Sequence, residues 1–267
     1  MTDAGAEPLV EEQPLAGGHV NRVVRVGDTV RRNAGPCTAT IHRLLSHARA
    51  KGMTWVPEPR GFDELGREVL SFLPGDVPHD MPEWVWSESV LTDVGGALRQ
   101  WHDATSDFTV EDAIWGLPPR EPREVICHSD FAPYNCVFRN GRFAGAIDFD
   151  LCAPGPRIWD IAYTAYRFVP LMPGPSSDGA PPSGETSPFV QSVVAKRLQI
   201  FLETYGLRDR SLTYEVPNVL TVAADRLEAI ASWTEEHVRV NGALALERNP
   251  GMYRAHARWL REWRDGG

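Results

Sequence analysis

The chain has 267 residues, an apolar fraction of 42% and a formal charge of −9 at pH 7. This size is enough for one large domain or for two lobes with a sizeable core, and the acidic balance argues against a nucleic-acid partner, which needs a basic surface. An acidic start with no apolar core, and no run near the roughly 20 apolar residues of a membrane span, predict a cytoplasmic protein without a membrane partner.

The N-terminal third is predicted to be mostly strand. Residues 1–13 are rich in Glu, Ala and Gly and are predicted to be disordered. A strand with a glycine turn at Gly17 and Gly18 follows, and then a two-stranded hairpin around Gly27 and Asp28. Glycines in such a turn let backbone amides approach phosphate groups, so Gly17 and Gly18 are candidates for nucleotide binding. An ordinary hairpin turn explains them equally well.

A helix over residues 38–51 comes next, because Ile41, Leu44, Leu45 and Ala48 recur on one side at helical spacing. Two further strands are predicted near residues 58–62 and 68–73. The rest of the chain is mostly helical by the same criterion, with helices over residues 84–105, 189–205, 215–241 and 252–265. A loop rich in Pro, Gly and Ser covers residues 168–188, and both a lid over a substrate and a disordered insertion fit its composition.

Residues 127–150 carry the most informative pattern. His128, Asp130 and Asn135 form an H-x-D sequence with Asn five residues after the Asp, the skeleton of a kinase catalytic loop. Two apolar runs then flank a turn with Asn-Gly at its centre, which predicts a hairpin that folds Asp148 back beside Asn135. A carboxylate and an amide oxygen, completed by phosphate oxygens, are typical ligands of magnesium in nucleotide sites.

At these residues the chain resembles the aminoglycoside phosphotransferase and choline kinase-like family of small-molecule kinases, and the resemblance covers most of the chain. It implies an α+β fold of protein-kinase type with two lobes. A small antiparallel sheet in residues 1–74 would bind the nucleotide, and a mostly helical lobe in residues 75–267 would carry the catalytic loop and the acceptor-binding helices. The implied reaction moves the γ-phosphoryl group of ATP, or of GTP, to a small-molecule hydroxyl with magnesium; aminoglycosides and other cationic antibiotics are one class of acceptor.

The resemblance also implies roles for single residues. Asp130 would be the catalytic base, and His128 would support the catalytic loop rather than react. Asn135 and Asp148 would bind magnesium. Asp160 would be the buried carboxylate that anchors the backbone of the catalytic loop.

On the nucleotide side, the resemblance places a basic residue of the third strand against the phosphates. Strand alignment favours Arg32, with Arg31 as the competing candidate because a slip of one residue exchanges the two faces. The backbone of Ser71, Phe72 and Leu73 would form the hinge that binds the adenine edge.

Three departures from the kinase pattern bear on the site. The helix over residues 38–51 contains no acid to pair with the basic strand residue, and His42 lies near the place of the missing Glu. Ser129 stands where the antibiotic kinases usually have Gly. Asp150 stands where protein kinases have the last Gly of D-F-G, and it is either a metal-facing carboxylate or a solvated turn residue.

Other candidate groups have ordinary explanations. The acids Asp225, Glu228, Glu235 and Glu236 fall on neighbouring turns of one helix and could bind a cationic acceptor, but helical charges usually form a solvated face. His102, at a helix end, is predicted to be structural. Three of the four cysteines lie near the catalytic region without metal-ligand spacing, which favours small buried thiols.

Two other functions are alternatives to a small-molecule kinase. A catalytically inactive nucleotide-binding module would explain the missing helix acid and the Arg in place of Lys. A hydrolase that uses His128 with Asp130 would need a nucleophile in a G-x-S-x-G type turn, which the sequence lacks.

Overall fold

The computed structural model describes residues 12–15, 23–78, 81–172, 191–207, 216–241 and 249–266. Most of the segment 1–13, both Gly17 and Gly18, and residues 173–188 of the predicted loop lie outside these ranges. Within them the chain forms an antiparallel sheet followed by a mostly helical part, which confirms the predicted α+β class.

The N-terminal sheet has five antiparallel strands in the order β1-β2-β3-β5-β4. These strands are β1 (Gln13–Pro14), β2 (Val24–Val26), β3 (Thr29–Arg32), β4 (Pro59–Phe62) and β5 (Glu68–Ser71). Helix α1 (Thr38–Ala50) lies between β3 and β4 in the chain, and its predicted apolar side is buried. The helix packs against the rest of the core through this side, as its 3.6-residue periodicity requires.

The C-terminal part contains helices α2 to α6 and two small two-stranded sheets. The helices are α2 (Glu88–Thr105), α3 (Arg157–Phe168), α4 (Gln191–Tyr205), α5 (Val216–Asn241) and α6 (Asn249–Gly266). A 3-10 turn, Glu83–Trp86, precedes α2, so the helix predicted from residue 84 begins four residues later. The three predicted C-terminal helices are confirmed to within a few residues at each end.

The small sheets place the catalytic segment. Strand β6 (Val125–Cys127) pairs with β9 (Ala153–Gly155), and β7 (Cys136–Arg139) pairs with β8 (Arg142–Ala146). The β7-β8 hairpin is the predicted one. Its turn residues Asn140 and Gly141 have φ values of +51° and +68°, the left-handed conformation that an Asn-Gly turn supplies at little cost.

The segment after the N-terminal sheet is fixed to this hairpin. Asp76 and Phe138 exchange two backbone hydrogen bonds of 2.8 Å each. Gly75 lies so close to the hairpin that a Cβ there would sit 2.5 Å from the carbonyl oxygen of Phe138, and its φ of +147° also favours glycine. The glycine therefore allows the chain to cross from the sheet onto β7.

One apolar core runs through both parts of the described chain, with Leu44, Leu98, Phe149 and Leu198 among its most buried side chains. None of the helices in the described ranges combines the length and apolar character needed to span a bilayer.

Candidate active site

The catalytic segment is anchored by the buried carboxylate of Asp160, which lies in the first turn of α3. The backbone N–H of His128 donates to its Oδ2 at 2.7 Å, and the backbone N–H of Ser129 donates to its Oδ1 at 2.9 Å. The predicted anchoring role of Asp160 is confirmed. Burial opposes the charge of this carboxylate, but its hydrogen bond with His102 and the nearby His128 hold the pKa of Asp160 below its ordinary value.

His102 supports Asp160 and is structural, as predicted. Its ring is fully buried, with Nε2 3.1 Å from Asp160 Oδ2 and Nδ1 2.7 Å from the hydroxyl of Tyr205. Burial lowers the pKa of His102, which favours the neutral ring that donates from Nε2 and accepts at Nδ1. Arg157 donates to the oxygen of Tyr205 at 3.1 Å, which completes the chain of hydrogen bonds.

His128 joins the catalytic loop to the segment that carries Asp148. Its Nε2 lies 3.2 Å from the carbonyl oxygen of Ile147, and its Nδ1 accepts from the backbone N–H of Asp130 at 3.4 Å. The ring packs against Phe149 at a centroid distance of 4.6 Å and is fully buried. Both ring nitrogens thus contact backbone groups of the site, a position that fits the expected supporting role.

Asp130 lies at the centre of the candidate site and accepts hydrogen bonds on both carboxylate oxygens. The side-chain amide of Asn135 donates to Oδ2 at 2.8 Å, and the hydroxyl of Tyr134 donates to Oδ1 at 2.8 Å. The hydroxyl of Tyr163 lies 3.0 Å from that of Tyr134. Burial raises the pKa of Asp130, and the Tyr134 hydrogen bond and the charge of Arg167 offset this only in part.

The hairpin brings Asp148 beside Asn135. The backbone N–H of Ile147 donates to the carbonyl oxygen of Asn135 at 2.9 Å, directly before Asp148 in the chain. Because the amide nitrogen of Asn135 donates to Asp130, its side-chain oxygen remains as an acceptor. Asp148 has a φ of +61°, and its side chain is 51% exposed. The two predicted metal ligands therefore share one end of the hairpin.

The structure also resolves which arginine of β3 faces this end. Arg32 lies 3.2 Å from Asp148, whereas Arg31 points away to Asp63 at 3.5 Å. Strand alignment thus placed the correct residue beside the predicted metal ligands. Although burial opposes its charge, the carboxylates of Asp150, Asp148 and Glu68 raise the pKa of Arg32 above its ordinary value.

The missing helix acid is replaced by Glu68 of β5, which the sequence analysis did not identify. Glu68 is 1% exposed, and its carboxylate lies 2.5 Å from Arg32 Nε and 3.0 Å from His42 Nε2. Arg32 and Glu68 are direct cross-strand partners of β3 and β5. The strand pairing was the signal that could have revealed this acid, since opposite charges on facing positions of an antiparallel pair attract.

Asp150 is not a solvated turn residue, because its side chain turns toward the same arginine as Asp148, one of the predicted metal ligands. Its carboxylate lies 2.5 Å from Arg32 Nη2, so it is an ion-pair partner of the strand arginine. Within the described ranges no group of three or more His, Cys, Asp or Glu side chains is arranged to hold a metal ion. A metal held by Asn135 and Asp148 would therefore need its remaining ligands from phosphate or water, which is how magnesium is usually bound.

The hinge prediction is wrong for the N–H groups of two of its three residues, whereas the role of their carbonyl groups stays a prediction. The N–H of Ser71 donates to Glu58 at 2.9 Å and the N–H of Phe72 donates to Asp28 at 2.8 Å, so neither is available to a ligand. In the described part of the chain the N–H of Leu73 has no such bond. Leu73 is thus the remaining candidate donor for an adenine edge.

The four acids of α5 are neutralised by arginines. Asp225 and Glu228 lie 3.1 and 3.2 Å from Arg261 of α6. Glu235 pairs with Arg254 of α6, and Glu236 pairs with Arg239 one turn along α5. These contacts favour the solvated-face explanation over binding of a cationic acceptor. Cys127, Cys136 and Cys152 are buried free thiols, as predicted.

Comparisons with known proteins agree with this site. A family model described as "Phosphotransferase enzyme family" matches residues 104–177, which include the catalytic loop, the β7-β8 hairpin and Asp160. The chain is 33% identical over 220 residues to the trifolitoxin immunity protein of Rhizobium leguminosarum bv. trifolii, covering 80% of this chain and 81% of that protein.

Solved structures of small-molecule kinases share the fold at low identity. An ethanolamine kinase of Plasmodium vivax matches with a TM-score of 0.66 and 15% identity, covering 96% of this chain and 84% of that one. An ADP-bound aminoglycoside phosphotransferase matches with a TM-score of 0.52 and 12% identity, covering 94% of each chain. At these identities the likeness establishes the protein-kinase-like fold.

Replacing Ser129 with Gly should stabilise the protein. Ser129 has a φ of +67°, which costs an L-residue roughly 1–2 kcal/mol, while the added flexibility of Gly in the unfolded chain costs about 0.5–1 kcal/mol. We expect a net gain of roughly 0.5–1 kcal/mol in the free energy of unfolding, measured by urea denaturation. Asn140→Gly is the control, because Asn tolerates this conformation and its replacement should change little; a loss of stability in Ser129→Gly would contradict the assigned strain.

Proposed function

The chain belongs to the phosphotransferase enzyme family, and we propose that it transfers the γ-phosphoryl group of ATP to a hydroxyl group of a small molecule in a magnesium-dependent reaction. The observation that carries the proposal is the convergence of three groups. Asp130 and Asn135 share the catalytic loop, and the hairpin delivers Asp148 to the same end. Phosphoryl transfer needs such positioning and charge neutralisation more than covalent participation of the protein.

In this proposal Asp130 binds the acceptor hydroxyl and receives its proton. The acceptor oxygen forms a bond to the γ-phosphorus while the bond from that phosphorus to the leaving ADP oxygen breaks. Magnesium, when bound, would neutralise charge on the phosphates. Asn135 and Asp148 would hold it, and their hard oxygen atoms, one of them on a half-exposed carboxylate, suit this ion.

Arg32 would bind phosphate oxygens from the sheet side of the cleft. It now lies between Glu68, which is buried, and the more exposed Asp148 and Asp150. Glu68 fixes the Nε side of the guanidinium, so both Nη groups keep their direction toward the cleft. Asp148, where it holds magnesium, would share its charge with that ion, which leaves the guanidinium of Arg32 to bind phosphate.

Glu68 also weakens the case for an inactive nucleotide-binding module. That alternative was motivated by the lack of an acid in α1 and by Arg in the place of Lys. A buried acid does contact the basic residue, but it comes from β5 instead of the helix. Arg32 also lies beside Asp148, which forms the proposed catalytic cluster with Asp130 and Asn135.

We further propose that the acceptor is a toxic or antimicrobial compound that carries a hydroxyl group. Support comes from the 33% identical relative, whose name assigns it to immunity against trifolitoxin. The α5 acids give no support for a strongly cationic acceptor, because arginines already pair with them. Neutral and acidic hydroxylated compounds therefore belong in the test alongside aminoglycosides.

Transfer should be measured as acceptor-dependent release of ADP from ATP, with GTP as the second nucleotide and with EDTA as the metal-free control. The acceptor panel should include aminoglycosides, amino alcohols, hydroxylated peptides and sugars. Asp130→Asn should lower kcat by about 10²- to 10⁴-fold, the range for loss of a general base. Nucleotide binding without turnover of any acceptor would favour the inactive module, and unchanged turnover in Asp130→Asn would refute the assignment of the base.

Removal of the Glu68 charge should weaken nucleotide binding. In Glu68→Gln, Arg32 loses its buried partner and is drawn toward Asp148 and Asp150, so fewer of its donors reach phosphate. We expect the Kd for magnesium ATP, measured by titration calorimetry, to rise about tenfold, or roughly 1.4 kcal/mol. Glu58→Gln, which alters an exposed pair with Arg60, is the control. Equal affinity in Glu68→Gln and wild type would exclude this role.

The hydroxyl of Tyr134 should set the acidic limb of the pH profile. Asp130 works in its ionised form, so activity falls as the pH drops through its pKa. The Tyr134 hydrogen bond lowers that pKa, and its loss in Tyr134→Phe should move the limb of kcat to higher pH. Tyr166→Phe, whose hydroxyl contacts His256 instead, should leave the limb in place. A limb that stays fixed or moves to lower pH in Tyr134→Phe would contradict the assignment.

A further inference from the structure

A buried arginine of α5 contacts the backbone of the catalytic loop, next to the N–H group that Asp160 holds. Arg226 is only 4% exposed, and its Nη2 donates to the carbonyl oxygen of Ser129 at 2.6 Å. Its guanidinium carbon lies 5.4 Å from the ring centre of Trp159 and 5.0 Å from that of Tyr163. Within the described ranges no carboxylate pairs with Arg226, and its buried Nε has no hydrogen-bond partner.

Burying a guanidinium without a counter-ion is costly, so the contacts it makes carry information. Two aromatic faces, four residues apart on α3, stabilise the cation and fix its plane. Lysine could not reproduce this arrangement, because a planar guanidinium both stacks on rings and directs its N–H groups. Of these groups, Nη2 donates to the catalytic loop, at the carbonyl oxygen of Ser129.

This carbonyl belongs to the peptide bond that leads into Asp130. The N–H of Ser129 is held by Asp160 at 2.9 Å and its carbonyl by Arg226 at 2.6 Å, so both peptide planes flanking Ser129 are fixed. The left-handed φ of +67° between them is thereby fixed as well. The direction in which the Asp130 side chain leaves the backbone depends on these two planes.

Arg226 reaches Asp130 by a second route. It packs on the ring of Tyr163, whose hydroxyl lies 3.0 Å from that of Tyr134, and Tyr134 donates to the Asp130 carboxylate. One side chain thus contacts both the backbone before the base and the hydroxyl chain that orients its carboxylate.

We propose that Arg226 is a positioning residue for Asp130, acting through the Ser129 carbonyl and the ring of Tyr163. This inference rests on the proposed phosphotransferase function, since it assumes that Asp130 is the base. Arg226 would not contact ATP or the acceptor. Its loss should therefore lower kcat while the KM for ATP stays close to the wild-type value.

The test is Arg226→Ala, which leaves a guanidinium-sized space between the Trp159 and Tyr163 rings. We expect kcat to fall on the order of 10²-fold, as for a displacement of a reacting group by about 1 Å, with little change in KM for ATP. Guanidinium chloride at tens of millimolar should restore part of kcat by filling the space, whereas sodium chloride at the same concentration should not. Arg239→Ala is the matched control, because Arg239 lies on the same helix in an exposed pair with Glu236; it should show neither loss nor rescue.

A wild-type kcat in Arg226→Ala would overturn the proposal. A loss of kcat that guanidinium does not restore, together with a lower unfolding temperature and a raised KM for ATP, would also overturn it, since it would show a general structural role. Should Arg226→Ala fail to fold, Arg226→Lys takes its place: it keeps the charge but lacks the planar fork, and a kcat reduced about tenfold with an unchanged KM for ATP supports the proposal. A wild-type kcat in Arg226→Lys overturns it.

Failure of the proposed function is recognised separately. If wild type transfers no phosphate, or if Asp130→Asn transfers it normally, the proposed function is wrong. Amide hydrogen exchange then tests, without any activity, whether Arg226 holds the backbone at Ser129. We expect the amides of Ser129 and Asp130 to exchange at least tenfold faster in Arg226→Ala, or in Arg226→Lys if needed, while α5 amides keep their rates. Unchanged exchange at these two amides would refute the positioning role.

Discussion

The site depends on one buried carboxylate. Asp160 accepts hydrogen bonds from two consecutive backbone N–H groups, those of His128 and Ser129, and from the ring of His102. A buried charge is tolerated only when its lone pairs are used in this way, and charge-assisted hydrogen bonds are about twice as strong as neutral ones. The left-handed backbone at Ser129 is therefore stabilised by its hydrogen bond to Asp160 of α3, and Arg226 of α5 adds a hydrogen bond to the carbonyl of the same residue.

The position of Arg32, the predicted phosphate-binding residue, depends instead on strand register. Arg32 faces Glu68 across β3 and β5, and a shift of one residue would turn both side chains to the opposite face. His42 of α1 joins the same carboxylate from the helix side. In protein kinases the corresponding ion pair joins a strand lysine to a glutamate of the helix. Here Arg32 of β3 pairs with Glu68 of the neighbouring strand, and the helix contributes His42 instead of an acid. In both arrangements an acid contacts the basic strand residue, although the acid comes from a different element.

The sequence predicted what is local and missed what is assembled. The hairpin and the spacing of Asp130 and Asn135 depend on short-range patterns, the anchor at Asp160 was implied by the family resemblance, and the structure agrees with each. Glu68 was missed because its role exists only once two strands pair. The hinge donors were overestimated for the same reason, since the neighbouring chain segments use their N–H groups. Tyr134 and Arg226 belong to no recognised motif. Their contacts with the Asp130 segment arise from the packing of α3 and α5 around the catalytic loop.

The backbone bridge between Asp76 and Phe138 has a mechanical consequence. It ties the end of the hinge to the strand that begins at Asn135, next to the predicted metal site. The close approach of Gly75 to Phe138 leaves no slack at the crossing. Opening and closing of the cleft would therefore move the five-stranded sheet as one unit on the other side of this bridge, while Asp76 stays with the hairpin that leads to the predicted metal site.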